Sequence, residues 1–227
     1  VNDLAKTYYR WNSPLNVTLR MPCGGELSAG PFHSQNPESW FFHVPGLKIV
    51  YPSSPADVKG LLVSAIEDPN PVLVFEHKGL YRSVKGEVST DLYNLPLGEA
   101  KIVQSGADAT IVTYGKAVHW AVELVNKLGV SIEIIDLRTL LPWDRETVLA
   151  SIQKTNRALV LHEANITGGI GAEIASTISE EAFYFLDAPV KRVASLDTPI
   201  PFTSYIESNV YLPHERFENA LRELLEY

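Results

Sequence analysis

Residues 47–75 read Leu47-Lys48-Ile49-Val50-Tyr51-Pro52-Ser53-Ser54-Pro55-Ala56-Asp57-Val58-Lys59-Gly60-Leu61-Leu62-Val63-Ser64-Ala65-Ile66-Glu67-Asp68-Pro69-Asn70-Pro71-Val72-Leu73-Val74-Phe75. Residues 47–51 are a short β-type run closed by Pro52. Ser54-Pro55-Ala56-Asp57 then starts a helix, with Ser as N-cap, Pro at the first helical position and an acid three residues on. Val58, Leu61, Leu62, Ala65 and Ile66 follow at i, i+3, i+4, i+7 and i+8, an amphipathic stripe. Asp68-Pro69-Asn70-Pro71 stops the helix, and residues 72–75 read as a buried strand. The unit is strand–helix–strand.

The alternation extends in both directions. Leu4 and Tyr8, with Val1 one turn earlier, repeat at helical spacing, and residues 15–19 form another β-type run. Residues 81–106 break the rhythm: they are polar, carry Gly86, Pro96 and Gly98, have no long period, and read as a connection between domains. Strands are expected at 109–114, 132–137, 158–162 and 190–194. Between them stand helices on Val118, Ala121, Val122 and Val125, on Val148 and Ile152 behind an Asp144 cap, and over 170–182 behind a Gly-rich turn. Phe217, Ala220, Leu221, Leu224 and Leu225 form a terminal amphipathic helix. Short strands separated by such helices imply a mostly parallel sheet with helices on both faces, hence two α/β layers, the first incomplete.

Composition bounds the class. At about 150 residues per domain, 227 residues make roughly one and a half domains. Hydrophobic residues at 45% and charged residues at 20% exclude a disordered chain, and a net charge of −8 leaves no basic field for nucleic acid or anionic lipid. Apolar runs such as residues 72–75 are too short to span a bilayer. The single cysteine, Cys23, excludes an internal disulfide and suits a reducing compartment. The only methionine is Met21 and the first ten residues lack the regions of a signal peptide, so an N-terminal portion is expected to precede Val1.

The densest candidate for chemistry is the run from Pro22 to Glu38, with three glycines and three prolines around His33. Such a loop lets backbone approach a ligand, and a histidine in it serves either as proton donor and acceptor or only as a partner for a neighbouring carbonyl. Cys23, His33 and His43 lie ten residues apart, a spacing that matches no zinc pattern. G-x-S-x-G, Walker and H-E-x-x-H motifs are absent. Thr167-Gly168-Gly169-Ile170-Gly171 opens a helix after a strand, but Ile174 replaces the third glycine of a dinucleotide fingerprint, and no acid but Asp187 follows at a suitable distance. Close helix–sheet packing is the favoured reading there, with phosphate binding the other. Asp136 with Arg138 reads as a structural or interface pair, Trp40-Phe41-Phe42-His43 as packing behind the loop, and His162-Glu163 stays open between structure and chemistry.

Phe32-His33-Ser34-Gln35-Asn36-Pro37-Glu38, His43-Val44-Pro45-Gly46-Leu47-Lys48-Ile49-Val50, Pro52-Ser53, Lys59-Gly60-Leu61-Leu62, Asp68-Pro69-Asn70-Pro71, Leu80-Tyr81-Arg82, Asp136-Leu137-Arg138-Thr139-Leu140 and His162-Glu163-Ala164 come in one order. Together they resemble the β subunit of thiamine-dependent 2-oxo acid dehydrogenase E1 components, the branched-chain (2-oxoisovalerate) type more than the pyruvate type. The resemblance implies an α/β chain with the C-terminal portion of a transketolase-like pyrimidine-binding domain over 1–83, a linker over 84–105, and a transketolase C-terminal-type domain with a mostly parallel sheet over 106–227. It implies thiamine diphosphate and Mg²⁺ shared with an E1 α chain or α segment, a second β copy, and an E2 lipoyl acyltransferase. It places His33 at the thiazolium side, assisting acyl transfer to the lipoyl group. It places a monovalent cation, usually potassium, at Leu15, Val17, Thr18, Ala65, Asp68 and Asn70.

The family's glutamate against the aminopyrimidine is expected upstream of Val1 with the main cofactor residues, so this chain alone is expected to be inactive. The chain is expected in the cytoplasm of a bacterium or the mitochondrial matrix of a eukaryote, the former favoured. The implied activity is oxidative decarboxylation of 3-methyl-2-oxobutanoate with acyl transfer to lipoyl-E2. A pyruvate or acetoin dehydrogenase β subunit is the enzyme alternative. A non-catalytic module for dimerisation and E2 docking is the alternative of another class.

Overall fold

The computed structural model describes all 227 residues, Val1–Tyr227. The chain runs through α1 (Asn2–Trp11), β1 (Thr18–Cys23), α2 (Gly30–His33), α3 (Glu38–Phe42), β2 (Lys48–Val50), α4 (Pro55–Glu67), β3 (Val72–His77) and α5 (Leu80–Ser83). It continues through β4 (Lys101–Gln104), β5 (Ala109–Thr113), α6 (Ala117–Leu128), β6 (Ile132–Asp136), β7 (Thr139–Leu141), α7 (Arg145–Thr155), β8 (Ala158–Asn165), α8 (Ile170–Glu181), β9 (Lys191–Ser195), α9 (Ser204–Ile206) and α10 (His214–Leu225). No helix is long and apolar enough to cross a membrane.

Local chemistry sets the helix starts. The Ser54 hydroxyl accepts a hydrogen bond from Asp57 N at 3.2 Å, and Asp144 accepts from Thr147 N at 3.0 Å, so each cap satisfies an amide that the first turn leaves free. One sheet has the order β1-β3-β2-β7 and the other β4-β6-β5-β8-β9. Pairings are parallel except for β7 on β2 and β4 on β6. In the first sheet Ile49, Leu73 and Phe75 face one apolar cluster while Val50, Val72 and Val74 face another with Leu61 and Ala65 of α4. Both faces of these strands are covered, so their sequence is continuously apolar rather than alternating. The larger cluster also takes in Val112, Ile135, Val160 and Ile174, so the two sheets share one core.

The first strand lies at Thr18–Cys23 rather than at 15–19, since Val17 N closes a tight turn onto Leu15 O at 2.9 Å before it. Two further details depart from the sequence reading. Residues 101–104, within the stretch read as a connection, form β4, a half-exposed edge strand whose side chains give little apolar signal. The rest of that stretch is strapped to α4: Tyr93 donates to Ala56 O at 2.7 Å, Leu95 N donates to Gly60 O at 3.2 Å, and Lys59 Nζ donates to Ser89 O at 2.6 Å. Gly60 permits this approach, because a Cβ there would lie 2.6 Å from Leu95 Cγ. The second detail is β7, which leaves the C-terminal half to complete the sheet of the N-terminal half.

The crossing is made at Arg138, whose φ is 55°. Asp136 accepts from Ser53 Oγ at 2.5 Å and from Arg138 N at 3.0 Å, and Tyr51 N donates to Arg138 O at 2.7 Å. The Arg138 guanidinium lies 3.3 Å from Asp57 and donates to Glu99 O at 3.1 and 3.0 Å and to Ala100 O at 3.3 Å. Asp136 and Arg138 are thus a structural pair that joins the two sheets. Arg138→Met removes the cation beside Asp57, itself only 4% exposed, and leaves carbonyls unpaired. We expect a loss of about 3–5 kcal/mol of unfolding free energy in urea titrations. A loss under about 1 kcal/mol would show that Lys101, 3.9 Å from Asp57, suffices.

Candidate active site

Parallel pairing of β1 with β3 puts Cys23 beside His77 at the C-terminal ends of both strands, the edge where open α/β sheets receive ligands. From there the chain enters the 24–38 loop, which Gly24 N closes by donating to Gln35 O at 3.0 Å. His33 ends the one-turn helix α2. Its ring is exposed and makes no hydrogen bond, while its main-chain carbonyl accepts from Lys78 Nζ.

Beneath the loop lies a buried polar network built from both halves of the chain. Glu163, on β8, accepts at Oε1 from Gly25 N at 2.7 Å and from Asn36 Nδ2 at 2.8 Å. His77 Nδ1 accepts from Gly79 N at 3.1 Å, which assigns the ring proton to Nε2, and Nε2 donates to Glu163 Oε2 at 2.6 Å. Burial pushes the Glu163 carboxyl up, but His77 and the amide donors outweigh it and hold it below the ordinary range. Tyr51 donates to Asn36 Oδ1 at 2.7 Å and receives the Cys23 thiol at 3.1 Å. Burial pushes that thiol up, so Cys23 is a packed hydrogen-bonding group rather than a nucleophile. Glu207, in the turn before α10, accepts from Glu26 N at 2.9 Å and from Ser28 N at 3.2 Å.

The other residues singled out from sequence fall into place around this network. His162 is buried and held down to about 4 by that burial, hence neutral, and its Nδ1–H donates to Ala164 O at 3.2 Å. Cβ atoms at Gly169 and Gly171 would lie 2.5 and 2.6 Å from its ring, so the Gly-rich turn is small in order to admit the imidazole. Asp197 accepts from Thr167 N at 3.1 Å, which occupies an amide that a phosphate would use. Phe41 and Phe42 pack on the shared core, while Trp40 is exposed. Cys23, His33 and His43 form no metal-binding group, and no three His, Cys, Asp or Glu side chains are gathered for one. His77 and Glu207 carry no signal in the sequence, and Glu38 stands there only as the acid that ends the Pro22–Glu38 loop.

The six residues implied for a cation do come together, at the opposite end of β1. Val17 N donates to Leu15 O at 2.9 Å, Val72 N to Val17 O at 2.9 Å, Thr18 Oγ1 to Ala65 O at 3.0 Å, and Asn70 N to Asp68 Oδ1 at 2.8 Å. The donor set is all oxygen at the negative end of α4, which fits a hard cation. Lys48 Nζ, 2.5 Å from Asp68 Oδ2, already neutralises the carboxylate, so main-chain oxygens are what remains. Five residue steps along β1 separate this cluster from Cys23 by about 17 Å, which places it away from His33.

Comparisons with known proteins cover the whole molecule. The transketolase pyrimidine-binding domain matches residues 3–84, and the transketolase C-terminal domain matches residues 98–216. The "2-oxoisovalerate dehydrogenase subunit beta 2, mitochondrial" of Arabidopsis thaliana is 45% identical over 100% of this chain and 64% of its own length. The chain therefore spans less than two thirds of that relative. The Bacillus subtilis "2-oxoisovalerate dehydrogenase subunit beta" is 41% identical, covering 100% and 71%. The "Pyruvate dehydrogenase E1 component subunit beta" of the same organism is 42% identical, covering 96% and 67%. A solved "Split gene transketolase, inactive beta4 tetramer" superposes with a TM-score of 0.76 at 24% identity, covering 97% of this chain and 71% of that one, and speaks for the fold.

One acid of the network is not held ionised. Glu38 is fully buried: Oε1 accepts from Tyr114 OH at 2.8 Å and Oε2 has no partner. Burial lifts it to about 7, with Tyr114 opposing and the Glu163 charge adding. The folded chain therefore keeps this proton where the unfolded chain has lost it, and stability falls as pH rises from about 4.5 to about 7, then levels. Glu38→Gln lacks this dependence. Relative to the unmodified chain it should gain up to about 3 kcal/mol between pH 5 and pH 8 in urea unfolding. Parallel pH profiles for the two would contradict this.

Proposed function

Because this chain belongs to the family of 2-oxo acid dehydrogenase E1 β subunits, we propose that it is the β part of an enzyme that decarboxylates a branched-chain 2-oxo acid, 3-methyl-2-oxobutanoate, and passes the acyl group to the lipoyl group of E2. The observation that carries this reading is His33: an exposed imidazole with both nitrogens free, on a loop pinned from beneath, at the ligand-receiving edge of β1 and β3. Thiamine diphosphate, when bound, supplies the electron sink for the carbon that loses CO₂. An exposed imidazole on a fixed loop fits the approach to such a group; the diphosphate and Mg²⁺ are assigned to the α part.

His33 acts on the second half of the reaction. When the lipoyl S–S bond opens, one sulfur takes the acyl carbon and the other leaves as thiolate; the His33 imidazolium hands that sulfur its proton. The buried network supplies the orientation. The cluster of Leu15, Val17, Thr18, Ala65, Asp68 and Asn70 holds potassium as a brace for β1, β3 and α4.

The reading includes assembly with an α chain or segment, a second β copy and E2. Exposed Phe32, Trp40, Phe202 and Tyr205, together with Tyr9 and Trp11 on α1, present apolar surface of the kind that partners cover. A pyruvate-specific β subunit is the second reading, favoured by the similarly high identity of the pyruvate relative. In the assembled enzyme, His33→Ala should leave the unfolding midpoint in place and lower lipoyl acylation about 100-fold. Normal acylation by that variant would remove His33 from the mechanism.

A further inference from the structure

The loop leading into His33 is held by residues outside its own half of the chain. Four of its seven residues from 24 to 30 have left-handed backbone: Gly24 at 87°, Glu26 at 61°, Ser28 at 52° and Gly30 at 69°. Glu26 and Ser28 carry Cβ atoms, for which this conformation is unfavourable by about 1–2 kcal/mol each, so the loop persists only where other interactions fix it. Those interactions are the amides of Gly25, Glu26 and Ser28, which donate to Glu163 at 2.7 Å and to the two oxygens of Glu207 at 2.9 and 3.2 Å. Both carboxylates are buried, and both come from the C-terminal half. Gly25 lets them approach together: a Cβ there would lie 2.7 Å from Glu207 Oε1 and 3.2 Å from Glu163 Oε1. The Glu26 side chain is turned outward and fastened to Lys116 at 3.0 Å and to the Trp120 indole N–H at 3.0 Å.

Neither carboxylate bonds His33, whose ring has no partner of its own. The imidazole is therefore placed by the backbone that carries it; the two carboxylates hold that backbone where the loop begins, at Gly25, Glu26 and Ser28, and Lys78 holds it at the His33 carbonyl. We propose that Glu163 and Glu207 are positioning residues for His33: the C-terminal half fixes the strained 24–30 loop and, through it, the approach of the imidazole to the lipoyl sulfur. The proposal rests on the reading of His33 given above. Glu207 is the cleaner handle, since Glu163 also bonds His77 and Asn36, whereas the Glu207 carboxylate bonds the loop alone.

The test is a double-mutant cycle in the enzyme assembled from its α and β parts. Lipoyl acylation is measured beside decarboxylation with an artificial electron acceptor. Glu207→Gln keeps one accepting oxygen and loses the other. It should lower acylation about 10- to 100-fold, the scale of a misplacement of about 1 Å, and lower it more than decarboxylation. In the His33→Ala background Glu207→Gln should add no further loss of acylation, because both changes remove the same contribution. Glu207→Asp, which keeps the charge, should recover part of the loss. If Glu207→Gln does not assemble, Gly25→Ala, whose methyl displaces both carboxylates, carries the same expectations. Equal losses in both reactions, fully additive losses in the cycle, or no loss would each overturn the positioning role. Normal acylation by His33→Ala would instead sink the reading of His33, and the inference with it; a defect there with none in Glu207→Gln overturns the inference alone.

Discussion

Glu163 carries a negative charge into a place with almost no water, and much of the candidate site is arranged around that fact. An ion removed from water loses several kcal/mol of solvation unless donors replace it. Here the donors are the amide of Gly25, the carboxamide of Asn36 and the ring N–H of His77. All three come from the N-terminal half of the chain, while the carboxylate stands on β8 of the C-terminal half. Satisfying one buried charge therefore draws together the start of the loop, its far end and the end of β3.

A second ionic joint has the opposite sign. At Arg138 a buried cation from the C-terminal half takes Asp57 and two carbonyls as partners, and β7 crosses over to complete the first sheet. The shared apolar core accounts for association of the two sheets, but apolar contact is non-directional. The two joints supply direction: one sets the crossing strand, the other the loop that presents His33. The site is thus a property of both halves together, although the residue assigned to chemistry lies in the first.

The fold was readable where the signal is local. The Ser54 and Asp144 caps, the stripe on α4 and the terminal helix follow from periodicity and hydrogen-bonding chemistry within a few residues. Edge strand β4 escaped because Ile102 is about half exposed and the apolar pair Ile102-Val103 is too short to show a period between Lys101 and Gln104. The sheet-crossing role of Thr139–Leu141 depends on Ile49 and Val50, about ninety residues earlier, which no local pattern encodes. His33 stood out from composition only as a loop histidine with two uses; its assignment to acyl transfer came with the resemblance. Glu207 had no signal at all, since whether an acid is buried depends on which amides it meets in three dimensions, and the left-handed geometry of Glu26 and Ser28 is not written in their side chains.

The claim most exposed to experiment is that the assembled enzyme works on a branched-chain 2-oxo acid. The direct measurement is kcat/KM for acylation of a lipoyl domain with 3-methyl-2-oxobutanoate and with pyruvate, using this chain together with its α partner. Two additional methyl groups in a matched apolar pocket should favour the branched acid by about tenfold or more. Preference for pyruvate, or acylation from neither acid, would contradict the assignment.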